Sequence, residues 1–432
     1  MKRGFYAIMA AQFFSSLADN ALLIAAIGLL AEMSGPAWMT PLLKFFFTVS
    51  YVVLAAFVGA FADAIPKGQV MFITNLIKVF GCIAMLYNDV LEIDWLPPHV
   101  IVLSAYALVG LGAAAYSPAK YGILTELLPA EQLVLANGWV EGLTVCSIIL
   151  GTVLGGGLIS PRVSDVLLSL DIPYLETGID TPAEAAIPVI VVLYLVAAAF
   201  NLFIPDTGAR YEQQPRNPIM LVRDFAVCFT TLWRDKLGQI SLGVTTLFWG
   251  AGATLQFIVL AWAFQHLGLP LTKGAILQGV TAVGIALGAV IAARYVPLRR
   301  SFNVLPVGIA MGLTVISLIF VSHMPLIYAL LIAIGAMAGF FVVPMNALLQ
   351  HRGHVLLSAG HSIAVQNFNE NVSILIMLAV YATMIRTGLS INIIIVLFGL
   401  FVSASMLIVM RRHRANQKRG DSLHLIGMER PH

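Results

Sequence analysis

Of the 432 residues, 59% are hydrophobic and only 10% are charged, with a mean hydropathy of +0.92. Soluble domains carry about 25% charged residues, so this composition excludes an ordinary soluble fold and requires lipid to solvate most of the chain. The net charge of +3 marks no nucleic-acid partner. Cys82, Cys146 and Cys228 stand singly in apolar surroundings without CxxC or metal spacing, so they read as small buried hydrophobes and no metal or other cofactor is expected.

Twelve apolar runs are long enough to span, since about 20 helical residues cross a bilayer core. They lie near 7–32, 41–63, 69–88, 99–120, 138–160, 187–204, 239–265, 274–296, 302–322, 325–349, 360–385 and 390–410. Helices are expected throughout, because each must satisfy its own backbone groups in lipid. The first run carries Asp19-Asn20 at its centre. A mid-membrane carboxylate costs at least about 2.5–3.5 kcal/mol on insertion scales, so Asp19 should face a protein interior or a wet cavity. It serves there either as a site residue or as a packing hydrogen bond. This run is too long for a signal-peptide core and has no small-residue cleavage pattern, so it reads as a retained span.

Met1-Lys2-Arg3 in front of it favours a cytoplasmic N-terminus. From that start, most of the 24 Lys and Arg fall on the cytoplasmic side, and Lys44, Arg162, Lys273 and Arg386 are the exceptions outside the spans. The opposite loops are acidic: Asp89, Glu92 and Asp94 in one, and Asp165, Asp171, Glu176, Asp180 and Glu184 in another. The small net charge is therefore the sum of a basic inner face and an acidic outer one. Both termini are expected in the cytoplasm of a multi-pass membrane protein.

A polar break over 205–238 divides six spans from six, giving bundles over 1–204 and 239–410 and a basic cytoplasmic tail over 411–432. Within the break, Pro218 to Leu237 sets Ile219, Val222, Phe225, Ala226, Phe229 and Trp233 at helical spacing among Arg223, Arg234, Asp235 and Lys236. That pattern predicts an amphipathic helix along the inner membrane surface.

The halves echo each other. The fourth span ends in small residues, Tyr116, Pro118 and Lys120; the tenth ends in Gly339, Phe340, Phe341, Pro344 and Asn346. The first and seventh share Phe13-Phe14-Ser15-Ser16 and Phe248-Trp249-Gly250-Ala251. Two parallel six-span repeats predict an all-α integral membrane fold of major-facilitator type, with substrate near mid-membrane. Gly59-Ala-Phe-Ala-Asp63 followed by Lys67-Gly68 resembles a degenerate form of that superfamily's cytoplasmic loop signature. The resemblance implies a gating role for Asp63 and Lys67, although Asp63 lacks the usual immediate Arg.

Polar groups recur where lipid-facing helices would not tolerate them: Asp19-Asn20, Asn75 with Lys78, Lys120-Tyr121, Asn137 with Glu141, Gln256, and Gln366-Asn367 with Glu370-Asn371. Charges of both signs lining one cavity suit a small zwitterion or anion, with Lys120 taking a phosphate or carboxylate and Asp19 an ammonium. Competing roles are structural. Lys120, at the end of its run, can snorkel. Lys78 suits an internal ion pair. Glu141, near the start of its run, suits a helix N-terminus, whereas Glu370 lies too deep for that.

Asp19-Asn20-Ala-Leu-Leu, Ala-Ala-Tyr116-Ser-Pro118-Ala-Lys120-Tyr121-Gly122, Ala136-Asn137-Gly138, Phe248-Trp249-Gly250-Ala-Gly252, Gly339-Phe-Phe-Val-Val-Pro344-Met-Asn346 through Gln350, and Ala364-Val-Gln366-Asn367 closely resemble the bacterial lysophospholipid transporter family. The resemblance covers nearly the whole chain. It implies facilitated import across the inner membrane of lysophosphatidylethanolamine and lysophosphatidylglycerol, with membrane lipid as the medium. Reacylation would follow on a cytoplasmic-side acyltransferase–acyl-carrier-protein synthetase. It also implies head-group contacts at Asp19, Asn20 and Lys120. Where that family carries Arg in the seventh span, this chain has Gln256, which removes a second phosphate-binding cation.

None of the nine His begins the H-x4-D pattern of an acyltransferase, and no GxxxxGK[ST] loop is present for ATP. The chain is therefore expected to be neither an enzyme nor an ATP-driven pump. The alternative transporter reading is a proton-coupled exporter of amphipathic small molecules, with Asp19 or Glu370 carrying the proton. A scaffold or receptor would not need midplane charges of both signs.

Overall fold

The computed structural model describes residues 3–33, 40–88, 97–169, 179–211, 217–269, 271–420 and 423–426. Lys2, Asp89, Glu92, Asp94, Asp171, Glu176, Arg216 and Arg430, which entered the charge pattern, lie outside them. Every regular element among the described residues is a helix. Eleven of these helices are long and apolar enough to span a membrane, and a bent pair makes a twelfth if counted as one broken span.

That pair corrects the reading of 41–63 as one continuous run. Helix α2 (Thr40–Val53) and helix α3 (Ala55–Ala64) meet at Leu54 with a 65° bend. The hydroxyls of Thr48 and Ser50 donate back to the carbonyls of Lys44 and Phe46, at 2.9 and 3.0 Å. Such back-bonding loosens the last turns of a helix and favours a bend.

The chain packs as two compact units, Met1–Ile123 with Cys146–Arg216, and Leu124–Val145 with Asn217–His432. The first contains α1 (Arg3–Glu32), α2, α3, α4 (Lys67–Leu86), most of α5 (Pro98–Leu127), the second half of α6 (Leu133–Leu158), α7 (Pro161–Leu168) and α8 (Pro182–Leu202). Helix α8 lies along both α1 and α4. Its start is fixed by a capping box in which Thr181 accepts from the Glu184 backbone and Glu184 accepts from the Thr181 backbone. Glu184, read above as a loop acid, is thus a helix cap. The α1 face is Ala18, Ala21, Leu22, Ala25 and Ala26, all buried, and its small side chains let neighbours approach closely.

The second unit contains the first half of α6, α9 (Pro218–Arg234), α10 (Gly238–Leu267), α11 (Leu271–Tyr295), α12 (Leu305–Ser317), α13 (Met324–Leu356), α14 (Ala359–Arg386) and α15 (Ile391–Lys418). Its tightest seam joins α11 to α13. A Cβ added at Gly284 or Gly288 would strike the carbonyl oxygens of Ile332 and Ala336, and one at Gly335 or Gly339 those of Thr281 and Ile285. Two facing Gly-xxx-Gly pairs therefore bring backbone against backbone, the packing that drives association where lipid removes the hydrophobic incentive.

Helix α9 begins at Asn217, whose side chain caps Ile219 at 3.0 Å. Its apolar stripe divides. Phe225 and Phe229 pack edge-on against Phe368, and Leu232 is buried with Leu242, Leu349 and Val365. Ile219, Met220 and Val222 remain exposed. The stripe is therefore partly spent on packing within its own unit. Asp235 ends the helix and starts the next, accepting from the backbone of Leu237 and Gly238 at 3.1 and 2.7 Å.

Candidate functional site

Ser15 and Asp19 are one turn apart on α1, and Asn75 and Lys78 one turn apart on α4, so each pair shares a helix face. The Lys78 ammonium donates to both Asp19 oxygens, at 2.8 and 2.9 Å, and to Ser15 Oγ at 3.1 Å. Ser15 Oγ donates to Asn75 Oδ1 at 2.8 Å. Tyr194, from α8, donates its hydroxyl to Asp19 Oδ1 at 2.6 Å. The rings of Tyr116 and Tyr194 flank the ammonium, with centroids at 5.2 and 5.4 Å. The lysine side chain is 1% exposed and the aspartate 20%. Removing both charges from water is costly, and only near-complete hydrogen bonding offsets it. All three ammonium protons have acceptors here. The carboxylate read as an ammonium receptor is therefore already occupied by an internal ammonium, and Lys78 takes the internal ion-pair role expected of it. Asn20 donates to the Ser16 carbonyl of its own helix at 2.8 Å.

Lys120 sits over the ring of Tyr121, 4.2 Å from the centroid. Helix α5 continues to Leu127, so Lys120 lies about two turns inside its helix rather than at the end. The apolar run was cut short by polarity, but no breaker follows until Pro129. Glu141 needs the same correction. It is buried more than two turns into α6, beyond the reach of a helix N-terminus. Lys67 donates to Asp63 Oδ1 at 2.6 Å and to the Ala62 carbonyl at 2.7 Å, and its ammonium lies 4.8 Å over the Tyr211 ring. The two expected gating residues thus form one buried pair. Outside the spans, a hydrogen bond from the Arg210 guanidinium, then one from the Gly208 backbone, hold the exposed Asp206 carboxyl down to about 2.

Asn137, Glu141, Asn346, Gln366, Asn367 and Glu370 belong to the second unit. Asn137 and Gln350 exchange two amide hydrogen bonds, both 2.9 Å. Asn346 donates to Glu141 at 3.2 Å, and Gln366 donates to Asn346 at 3.1 Å and to Glu370 at 2.8 Å. Two buried carboxylates are thereby strung together by two amides. Asn367 lends its backbone carbonyl to Asn371 at 2.8 Å. Gln256 stands apart, exposed and bonded to Gln278 at 2.9 Å. Sequence reasoning missed Tyr194 and Gln278. A lone Tyr inside an aliphatic span was a usable signal, because its hydroxyl needs a partner at that depth.

These features define a multi-pass helical membrane protein with paired charges held inside its bundles. The sequence model described as Major Facilitator Superfamily matches residues 8–378. A protein from Yersinia enterocolitica serotype O:8 called Lysophospholipid transporter LplT is 40% identical over 391 residues, 90% of this chain and 89% of that one. One of the same name from Yersinia pestis is 40% identical over 389 residues, covering 90% and 88%. The chain belongs to the major facilitator superfamily and, within it, to the lysophospholipid transporter family. Among solved structures, a bacterial homologue of the iron transporter ferroportin in an outward-facing state has a TM-score of 0.71 at 15% identity, covering 97% of this chain and 100% of that one. FucP in the outward conformation also scores 0.71, at 14% identity, covering 95% and 98%. At these identities the likeness is one of fold alone.

Proposed function

We propose that this protein moves lysophospholipids, chiefly lysophosphatidylethanolamine and lysophosphatidylglycerol, inward across a bacterial inner membrane by facilitated transport. The observation that carries the reading is the 40% identity over nine-tenths of the chain to proteins named lysophospholipid transporters. The site chemistry supports it. A lysolipid presents a phosphate and one acyl chain, and needs a few polar groups set in apolar walls. Asp19, Asn20, Lys120, Tyr121, Asn137, Glu141, Gln256, Asn346, Gln366, Asn367 and Glu370 are the residues we assign to the head group's path, with Asp63 and Lys67 in gating. Both termini lie in the cytoplasm, and the imported lipid passes to an acyltransferase–acyl-carrier-protein synthetase on that side.

Uptake of radiolabelled lysophosphatidylethanolamine by spheroplasts, with and without an uncoupler, tests this reading. Uptake that depends on the protein and persists with the uncoupler is the expected result. Uptake abolished by the uncoupler would favour proton coupling, and none above background would remove the substrate assignment.

A further inference from the structure

Two buried donors beside the Asp19–Lys78 pair are unused. Asn75 is fully buried and Tyr116 is 5% exposed, and neither Asn75 Nδ2 nor the Tyr116 hydroxyl has a partner among the described residues. Both belong to the same cluster. The Asn75 amide accepts from the Ser15 hydroxyl that also takes a Lys78 proton, and the Tyr116 ring lies under the Lys78 ammonium. An unmade hydrogen bond at a buried donor carries a cost that a bound acceptor would relieve.

We propose that Asp19 and Lys78 form an exchangeable ion pair, which a zwitterionic phosphate–ammonium head group opens by taking both partners. The head-group ammonium replaces Lys78 on the Asp19 carboxylate. The released Lys78 ammonium turns to the phosphate, which also accepts from Tyr116 and Asn75. This makes Lys78, Tyr116 and Asn75 a phosphate subsite additional to Lys120, and it rests on the lysolipid reading above.

Charge balance favours the exchange. The resting pair is neutral and so is a phosphoethanolamine group, so the buried cluster gains no net charge when the partners are swapped. All three Lys78 protons are engaged by Asp19 and Ser15, so Lys78 cannot hold a phosphate without releasing the carboxylate. An ammonium supplied by the same ligand fills that vacancy. The exposure of the pair sets the order of events: Asp19 is the accessible partner and Lys78 the enclosed one, so the ammonium engages first.

Two variants test this. Tyr116→Phe removes only a hydroxyl that makes no bond in the resting protein, so its melting temperature in detergent should be at or above that of wild type. Its KM for lysophosphatidylethanolamine uptake should rise about tenfold, the loss of one hydrogen bond to a charged group. The thermal shift given to the wild type by sn-glycero-3-phosphoethanolamine should fall in proportion. The double variant Asp19→Asn/Lys78→Met keeps the cluster neutral, and should fold but lose both uptake and the shift.

An unchanged KM and shift in Tyr116→Phe would overturn the proposal, as would wild-type uptake by the double variant or a wild-type protein that glycerophosphoethanolamine does not shift. Should the wild type transport no lysolipid, the functional reading falls by that result. The thermal-shift comparison of wild type with Tyr116→Phe still decides the subsite.

Discussion

Replacing Gly288 with alanine adds one methyl where the second unit has no room for it. The new Cβ would fall on the Ala336 carbonyl oxygen, a backbone atom that cannot rotate away, so α11 must lift from α13. Overpacking of this kind costs up to about 3 kcal/mol, and alanine's better helix propensity returns about 1 kcal/mol. The net loss of about 2 kcal/mol should lower the melting temperature by about 4–8 °C for a body of this size. Gly279 on the same helix supplies the control, because a Cβ there meets nothing within 4 Å. Gly279→Ala should melt at or slightly above the wild-type temperature. Both variants can be followed by fluorescence-detected melting in detergent. Equal melting of Gly288→Ala and Gly279→Ala would refute the close backbone seam.

Asp235→Ala should destabilise strongly, by about 3–5 kcal/mol if Arg352 is left as an unpaired buried charge. Arg352 now donates to Asp235 at 2.7 and 3.2 Å, and melting of Asp235→Ala/Arg352→Met should recover much of the loss. Gln350→Leu should cost about 1–3 kcal/mol by stranding the buried Asn137 amide, and the Asn137→Leu/Gln350→Leu pair should melt higher than either single variant. Gln256→Arg should shift the uptake ratio toward lysophosphatidylglycerol, since a guanidinium fork suits an anionic phosphate; an unchanged ratio in a stable variant removes Gln256 from the path. Asp19→Asn should abolish lysolipid uptake at matched expression, and uptake at the wild-type rate would reduce Asp19 to a structural role.

Hydropathy alone made the helical class and the spanning segments legible, because lipid allows a chain of this composition little else. Asp19 was legible as costly, but its partner was not. Lys78 is nearly sixty residues away in sequence, and only the packing of α8 along both α1 and α4 brings the two together. The Gly-xxx-Gly seam was overlooked because glycine and alanine are frequent throughout the chain, and which ones face a backbone depends on helix rotation. The ends of α5 and α6 were misread for a different reason: a polar residue ends an apolar run without ending a helix, so Lys120 and Glu141 looked terminal. The joining of Leu124–Val145 to the second unit was equally hidden, since it rests on Asn137 meeting Gln350 and Gly138 meeting Ala293.

The most direct test of lysolipid transport uses the purified protein in vesicles, free of any acyltransferase. Labelled lysophosphatidylethanolamine is supplied to the outer leaflet, and its arrival in the inner leaflet is timed by loss of access to an impermeant quencher. The account predicts protein-dependent transfer that unlabelled lysophosphatidylethanolamine competes away and that Asp19→Asn lacks. Transfer no faster than in protein-free vesicles would contradict it.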